Sequence, residues 1–550
     1  MSLDKELLKS DELSYEYSDE FQDCLNAHGL YNSQRFVVRL SPVNHDSLDK
    51  ITKEEFSELS EQDIQSYSTY LHETIHWWQH IGSTIGLIMS LSYPAQTHSN
   101  VVHLREYLKI SGAKKSIDIY NKINATEFHP TDDEFHHINI ILNNYFDIEY
   151  FRSLVTNPKT AKSVYDSGYF ESVGHSYFTG YTYSIQVLAE VFDRRFNHFP
   201  KPDDWLDEID KLKEKKVRGY YYGSEIVVPP LGLKEVLEGQ ARFSQLQFLH
   251  YAFGKKYDWM DFAKVGKLDG IYFKAFQIFL DITELDLPQS IHDPKVGLFL
   301  LVCDLAINPG EGFPFNLEDC DSFITSVDPG FRFTNICLAI KKSPELGEMI
   351  VEYSKKEYES VSGILCKAID TYTPNETCSK VLEWIKNSEE LQALLKEEEN
   401  FTYQNINQPI RVILAKFLRY TQDKVEFPEF FCWPGYWKVG DKTTENHQNI
   451  WMRHLSLFMD RKGDKGIYPR EFPNAIKENI HKTFNAFYAW NIMYDLTRQW
   501  IIGEGDFKYD YTWLTEKKKE TELKESADKV FENIYGEFPD NFEILMKTKS

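Results

Sequence analysis

Three residues in the first hundred have the types and the spacing of a metal site. His72, Glu73 and His76 form the pattern His-Glu-x-x-His within the stretch YLHETIHWWQHIG. On a helix, residues i and i+4 share one face, so the two imidazole rings can bind one ion. Zinc binds neutral imidazole and, in catalytic sites, keeps one position for water. Glu73 adjoins the first ligand and is placed to accept a proton from that water, so the pattern predicts zinc-dependent hydrolysis.

The element that must position these residues is an apolar helix. The sequence predicts a helix from about residue 64 to residue 92, in which three polar side chains without partners would be costly to bury. The alternative is that two core histidines and an acid occur there by coincidence. A catalytic site also needs a third protein ligand. His80 lies about 12 Å along the axis from His72, at roughly 1.5 Å per residue, so we expect a helix-end residue rather than a ligand.

A second segment, together with the motif, resembles the zincin metallopeptidases of the gluzincin type. This segment is VVPPLGLKEVLEGQARF, and we predict a helix over residues 233–254 that contains Glu238. In gluzincins a second helix supplies a glutamate ligand, often in a Glu-Gly-x-Ala or Glu-Ser-x-Ala setting. The resemblance is closest to a loosely characterised bacterial group with a His-Glu-x-x-His-aromatic-x-Gln core. Leu300–Gly310 also resembles a later stretch of that group, so the likeness covers about residues 60–310 at the level of motifs.

The resemblance implies a site and an activity. His72, His76 and Glu238 would bind one Zn²⁺ ion with water in the fourth position, and Glu73 would be the general base. The substrate would be a protein or a peptide. Gly239, beside the third ligand, would permit the close approach of the two ligand helices.

Two features depart from the thermolysin-like pattern. The ligand helices are far apart in the sequence, and Arg242 stands where those enzymes have an acid that steadies a ligand histidine. The hydrogen-bond partners of the ligand histidines are therefore not identified by the sequence. An i, i+4 ion pair with Arg242 on a helix surface is the alternative role of Glu238. Glu235 and Glu190 are weaker alternative ligands.

A tetrahedral intermediate also needs a hydrogen-bond donor for its oxyanion. Tyr220, Tyr221 and Tyr222 precede the Glu238 helix on a predicted strand, and in zincins a strand edge near the active-site helix commonly holds the substrate backbone. One of these tyrosines, or His175, is a candidate donor. Packing of the tyrosine rings on a sheet face is the alternative.

The composition disfavours several classes of partner. The chain has 550 residues, a net charge of −24 and 42% hydrophobic residues, so we expect a large core. A phosphate-binding surface needs concentrated Lys and Arg, so we expect no nucleic acid and no anionic membrane as partner.

The cysteines and the apolar runs indicate the compartment. The number of cysteines is odd and no two form a Cys-x-x-Cys pair, which argues against a disulfide framework and a cysteine-based zinc site. The N-terminal residues lack the apolar region of a secretory signal. Val296–Ile307 is too short to span a bilayer and is expected to be a core helix. We therefore expect a cytoplasmic protein.

The predicted elements are mainly α-helical with a small sheet, an α+β class. Arg35–Val43 is a predicted strand, Val217–Gly232 a predicted strand or hairpin, and Tyr177–Phe196 a predicted helix. We predict a zincin-like metallopeptidase domain over residues 1–345, with a long insertion between the ligand helices, and a helical C-terminal region over residues 346–550. The oligomeric state is left open.

The favoured function is zinc-dependent peptide hydrolysis, and two alternatives remain open. One is a non-catalytic or regulatory binding protein with a zincin fold. The other is a zinc hydrolase of a non-peptide bond. Glu73 favours an enzyme because a purely structural site needs no base at that position.

Overall fold

A computed structural model describes residues 29–546, apart from residues 34, 52–58, 125–131, 265, 269, 440–441, 462–463, 473–474 and 510–519. The described chain is mainly α-helical with a small mixed sheet, which confirms the predicted class. The predicted absence of a secretory signal concerns N-terminal residues that lie outside the described part.

Thirteen helices precede residue 310 in the described part of the chain: α1 (Pro42–Ile51), α2 (Glu61–Gly82), α3 (Thr84–His98), α4 (Val101–Ser111), α5 (Ile117–Asn124), α6 (Asp133–Thr156), α7 (Ala161–Tyr165), α8 (Val173–Phe192), α9 (Leu206–Glu214), α10 (Leu233–Ala252), α11 (Trp259–Lys264), α12 (Ile271–Thr283) and α13 (Pro294–Ile307). The later helices are α14 (Phe323–Val327), α15 (Pro329–Lys342), α16 (Lys355–Ala368), α17 (Pro374–Asn387), α18 (Glu389–Asn400), α19 (Gln408–Glu426), α20 (Pro428–Cys432), α21 (Pro434–Trp437), α22 (Glu445–Arg453), α23 (Lys477–Ile502) and α24 (Glu520–Tyr535). The strands are β1 (Gly29–Asn32), β2 (Val37–Leu40), β3 (Lys114–Lys115), β4 (Phe458–Arg461), β5 (Asp464–Pro469) and β6 (Glu543–Ile544).

The larger sheet joins distant parts of the chain in the order β1-β2-β4-β5. The β1–β2 and β4–β5 pairs are antiparallel, and β2 pairs with β4 in parallel. Trp78 in α2 also donates a hydrogen bond to the carbonyl of His454, at 2.8 Å. These contacts connect the two sides of residue 345, and the domain boundary predicted there remains a prediction.

The first ligand helix, α2, is set by its caps. Ser60 caps its N-terminus in a capping box with Asp63. Ser83 ends the helix and caps the next one, since its hydroxyl accepts from the Gly86 amide. The helix predicted over residues 64–92 is therefore two helices, α2 and α3. A Cβ at Gly86 would lie 2.0 Å from the carbonyl oxygen of Gln79, so this tight junction requires glycine.

The second ligand helix, α10, occupies nearly the predicted range and is buried along most of its length. Gly239 does not serve the purpose predicted for it. A Cβ at this position would lie 3.1 Å from Ala275 and 3.2 Å from Phe299, so Gly239 permits close packing against α12 and α13. The contact between α10 and α2 includes polar side chains and the rings of Tyr67 and Phe248, whose centroids are 5.4 Å apart.

The segment between the ligand helices forms α3 to α9, among which α3, α6 and α8 pack on one another. The helix predicted over Tyr177–Phe196 is confirmed as α8, and the core helix predicted over Val296–Ile307 is confirmed as α13. The strand predicted within Arg35–Val43 is β2, and the helix α1 already begins at Pro42.

The strand or hairpin predicted over residues 217–232 was wrong, since these residues form turns and irregular chain without a strand partner. Gly219 and Gly223 have positive φ angles of 91° and 76°, which interrupt an extended backbone. Tyr220 is buried, but Tyr222 is 79% exposed, so the aromatic residues do not form one face of a sheet.

Two further observations concern the apolar helices and the cysteines. No helix in the described ranges is long and apolar enough to cross a membrane. Six of the seven cysteines fall in the described part of the chain, and each has a free thiol.

Candidate metal centre

Helices α2 and α10 run antiparallel and are joined by a row of buried polar contacts. At one end of the row, Gln245 donates a hydrogen bond to the hydroxyl of Ser68, at 3.1 Å. At the other end, the Gln79 amide donates to the carbonyl of Leu237 at 3.0 Å and to the side-chain oxygen of Gln240 at 2.8 Å. The three predicted ligands lie between these two contacts.

The structure brings His72, His76 and Glu238 together. The Nε2 atoms of the two histidines are 3.1 Å apart. Oε2 of Glu238 lies 3.5 Å from Nε2 of His72 and 3.3 Å from Nε2 of His76. His72 and His76 are 6% and 9% exposed. Among the described residues, these three are the one group of at least three His, Cys, Asp or Glu whose ligand atoms all lie within 4.8 Å of one another.

The spacing and the donor set fit a zinc ion. Ligand atoms 2.0–2.1 Å from one tetrahedral ion lie about 3.3–3.4 Å from one another, a value that the three measured distances bracket. Oε2 of Glu238 is buried and faces the Nε2 atoms of His72 and His76. A buried carboxylate needs a compensating positive group, which a proton on one imidazole supplies in the metal-free chain and which a cation held between the three atoms would supply instead.

The electrostatics keep two of these groups in the forms that bind metal. Burial lowers the pKa of His72 to about 3, so its imidazole is neutral. Burial alone would raise the pKa of Glu238, but the neighbouring His76 and His72 hold it well below its usual range, so the carboxylate is ionised. His76 differs, because the charge of Glu238 outweighs burial and raises its pKa to about 9. A bound cation would therefore compete with a proton at His76.

Gln79 fixes the orientation of His76, a role that the sequence analysis missed. Nδ1 of His76 lies 2.8 Å from Oε1 of Gln79, which can only accept, so His76 donates there and its Nε2 faces Glu238, ready to bind a metal once its proton is lost. The amide of Gln79 simultaneously bonds to α10 through Leu237 and Gln240. The i, i+3 spacing of His76 and Gln79 is the sequence signal that could have indicated this partner.

Glu73 lies on the side of the centre that faces strand β1. Its Oε1 lies 2.8 Å from the position that a Cβ would take at Gly29, so only glycine fits there. The backbone amide of Tyr31 donates a hydrogen bond to the carboxylate. Burial nevertheless raises the pKa of Glu73 to about 7, a range suited to a general base at neutral pH.

Tyr272, in α12, is the tyrosine beside the ligands. The centroid of its ring lies 5.9 Å from that of His72, and the guanidinium of Arg242 lies 4.1 Å from the ring centroid. Burial and the charge of Glu238 raise the pKa of Tyr272, so its hydroxyl is protonated. Arg242 donates to Gln245 at 2.7 Å, and the ion pairs of Glu238 are with His72 and His76, so the alternative role of Glu238, a surface ion pair with Arg242, is not formed.

The other residues considered from the sequence have different partners. Glu235 caps α10 through the Gly232 amide, at 3.0 Å. Tyr220 donates to the carbonyl of Cys320, and His175 pairs with Asp147. The ring of His80 packs at a tilt against that of Tyr31, with ring centroids 5.2 Å apart, and His80 lies outside the ligand group as expected.

Comparisons of this chain with protein-family models, with curated proteins and with solved structures return no match.

Proposed function

We propose that this chain is a zinc-dependent peptidase whose metal is held by His72, His76 and Glu238. The observation that carries the proposal is the meeting of these three side chains from α2 and α10 in one buried group, with Glu73 adjacent on α2. A structural site alone would need no carboxylate beside its ligands with a pKa raised to about 7.

The proposed mechanism assigns a role to each neighbouring residue. Zinc bound there would supply Lewis acidity, which polarises a carbonyl and makes water a better nucleophile at neutral pH. Glu73 accepts the proton of the attacking water and delivers it to the leaving amine. The protonated hydroxyl of Tyr272 donates to the oxygen that becomes negative as the carbonyl is attacked. Gln79 acts indirectly, by holding His76 in the orientation that binds metal.

The position of strand β1 supports the proposal that the substrate is a protein or a peptide. The strand forms one edge of the larger sheet in the described part of the chain and begins at Gly29, in contact with Glu73. An extended peptide can add to a free sheet edge through backbone hydrogen bonds. We also propose a cytoplasmic location, which the free thiols support.

The test is product analysis with the zinc-loaded chain. A mixed library of peptides is incubated with the wild type and with Glu73→Gln, and the products are identified by mass spectrometry. We expect cleavage by the wild type only, with the variant retaining zinc and the native circular dichroism spectrum.

A parallel library of carboxylic and phosphate esters separates peptidase from other hydrolase activity. Cleavage of esters without cleavage of peptides would replace the proposal by a different zinc hydrolase. Absence of turnover on both libraries by a chain that binds zinc would favour a binding protein. Equal peptide cleavage by Glu73→Gln would exclude Glu73 as the base.

A further inference from the structure

Lys267 is a buried cation that lacks a partner. It lies in the turn between α11 and α12 and is 1% exposed, and its Nζ makes no hydrogen bond. Burying an ammonium group without a partner is costly. Burial and the nearby charge of Arg242 accordingly hold the pKa of Lys267 well below its usual range. A bound partner for Nζ of Lys267 would offset this cost.

Arg242 is a second buried cation with an unused donor. It is 5% exposed and lies one helical turn after Glu238 on α10. One terminal nitrogen donates to Gln245, whereas Nε, which carries a hydrogen, has no partner. No carboxylate forms an ion pair with Arg242 or Lys267 among the described residues, so two buried cationic groups present donors that the chain leaves unpaired.

These donors lie next to the proposed metal centre. The guanidinium of Arg242 lies 4.1 Å from the centroid of the Tyr272 ring, which is 5.9 Å from the ring of His72. The charge of Arg242 lowers the pKa of His72 and of Glu73, and it also lowers the pKa of Lys267. Arg242 therefore lies near both the metal centre and the buried lysine.

The balance of charges around the metal centre favours the binding of an anion. With zinc bound, Glu73 and Glu238 together balance the charge of the metal, and this leaves the charge of Arg242, and that of Lys267 when protonated, without compensation. A guanidinium N–H and an ammonium group are the donors that proteins use for carboxylates.

We propose that Nε of Arg242 and Nζ of Lys267 bind a carboxylate group of the substrate, next to the bond that the metal centre cleaves. The inference rests on the proposed peptidase function for its substrate class. A peptide carries such a group as its C-terminus or as an Asp or Glu side chain, and the site selects substrates that present either one close to the scissile bond.

The first test measures binding alone and does not depend on turnover. Succinate, and succinamide as the neutral control, are titrated by calorimetry into the purified chain and into Lys267→Met, which removes the charge but keeps an unbranched side chain of similar length. Lys264→Met is the matched control, because Lys264 lies three residues away and its side chain is 69% exposed.

We expect succinate, but not succinamide, to bind the wild type and Lys264→Met equally. Lys267→Met should bind it about 10-fold to 100-fold more weakly, the effect of one charge-assisted hydrogen bond. Denaturation curves establish that all three proteins are folded. Absence of succinate binding by the wild type, or equal binding by Lys267→Met, would overturn the proposal.

The second test uses three peptides. The first has Glu beside the cleaved bond and a free C-terminus, the second differs from it only by a C-terminal amide, and the third differs from it only by Gln in place of Glu. We expect Lys267→Met to raise KM about 10-fold to 100-fold for the peptides that carry the bound carboxylate and to leave KM unchanged for the peptide that lacks it. The peptide without the change identifies the source of the carboxylate.

The two proposals fail in different ways. Binding of succinate through Lys267 without cleavage of any peptide would retain the carboxylate site and reject the peptidase. Peptide cleavage with the same KM for all three peptides in both proteins would reject the carboxylate site and retain the peptidase.

Discussion

Replacement of Gln79 by leucine should weaken zinc binding although Gln79 is not a ligand. The side chain accepts from Nδ1 of His76 at 2.8 Å and donates to Leu237 and Gln240 at 3.0 and 2.8 Å. Leucine makes none of these bonds. The His76 ring then loses the contact that fixes its tautomer, and loss of such a partner typically lowers metal affinity about 10-fold to 100-fold.

The same change should lower the stability of the fold. Two buried groups lose their partner, the Nδ1 hydrogen of His76 and the side-chain oxygen of Gln240, while the carbonyl of Leu237 keeps its helical hydrogen bond. Each buried group left unsatisfied costs about 1–3 kcal/mol, so we expect a loss of about 2–6 kcal/mol in the free energy of unfolding.

The assay is a zinc titration against a competing chelator, combined with urea denaturation of the metal-free chain. Gln96→Leu is the matched control, because Gln96 is a buried glutamine in α3 that bonds to Tyr145 and Glu149, each at 3.0 Å, and makes no contact with the ligands. It should lose comparable stability and keep wild-type zinc affinity. Wild-type zinc affinity in Gln79→Leu would refute the role of Gln79.

Three further predictions concern the site and the fold. Tyr272→Phe keeps the ring and removes the hydroxyl, so kcat on a cleaved peptide should fall about 100-fold to 1000-fold, and an unchanged kcat would exclude this donor. Glu238→Ala should lose zinc binding in the chelator titration, whereas Glu235→Ala should keep it and lose only about 1 kcal/mol from the helix cap in urea denaturation; the reverse order would contradict the assignment. Burial would raise the pKa of Glu398, but its ion pairs with Lys416 and Arg419 lower the pKa. These ion pairs therefore stabilise the fold above the unfolded pKa of about 4.3, and this stability is lost as the pH falls through the lower pKa of the folded state. Urea denaturation of Glu398→Gln between pH 7 and 3 should therefore show a smaller fall in stability than the wild type shows, and an equal fall would contradict it.

The sequence predicted the elements that carry the site better than the contacts between them. A strong helical period gave α10 and α13 with nearly correct ends and α8 with both ends four residues too late, because apolar periodicity directly reflects a buried helix face. It did not give the break at Ser83, since a serine within an apolar run is also compatible with a continuous helix.

The segment before α10 shows the limit of β propensity. Its tyrosines and valines favour a strand, but propensity is realised only when a neighbouring strand is available, and the structure provides none over residues 217–232. Tyr220 packs against Gly174 and bonds to Cys320 instead. The hydroxyl of Tyr220, one of the candidate oxyanion donors from that segment, is therefore already used in a hydrogen bond to Cys320.

The surroundings of the metal centre could be predicted only in part. His72, Glu73 and His76 follow from local spacing on one helix, and Glu238 was indicated by a resemblance at the level of motifs. Tyr272 and Lys267 carry no such local signal. Tyr272 lies in α12 and Lys267 in the turn before it, and both come close to Arg242 only because these segments pack against α10. Contacts of this kind depend on the tertiary fold and not on spacing along the chain.

The most direct test of the account is to locate the metal. Crystals of the zinc-loaded chain are measured at the zinc absorption edge, and an anomalous difference map is calculated. We predict one strong peak that is coordinated by Nε2 of His72, Nε2 of His76 and the carboxylate of Glu238. A zinc-replete crystal without a peak between these three side chains, or with zinc bound only at other residues, would contradict the central claim.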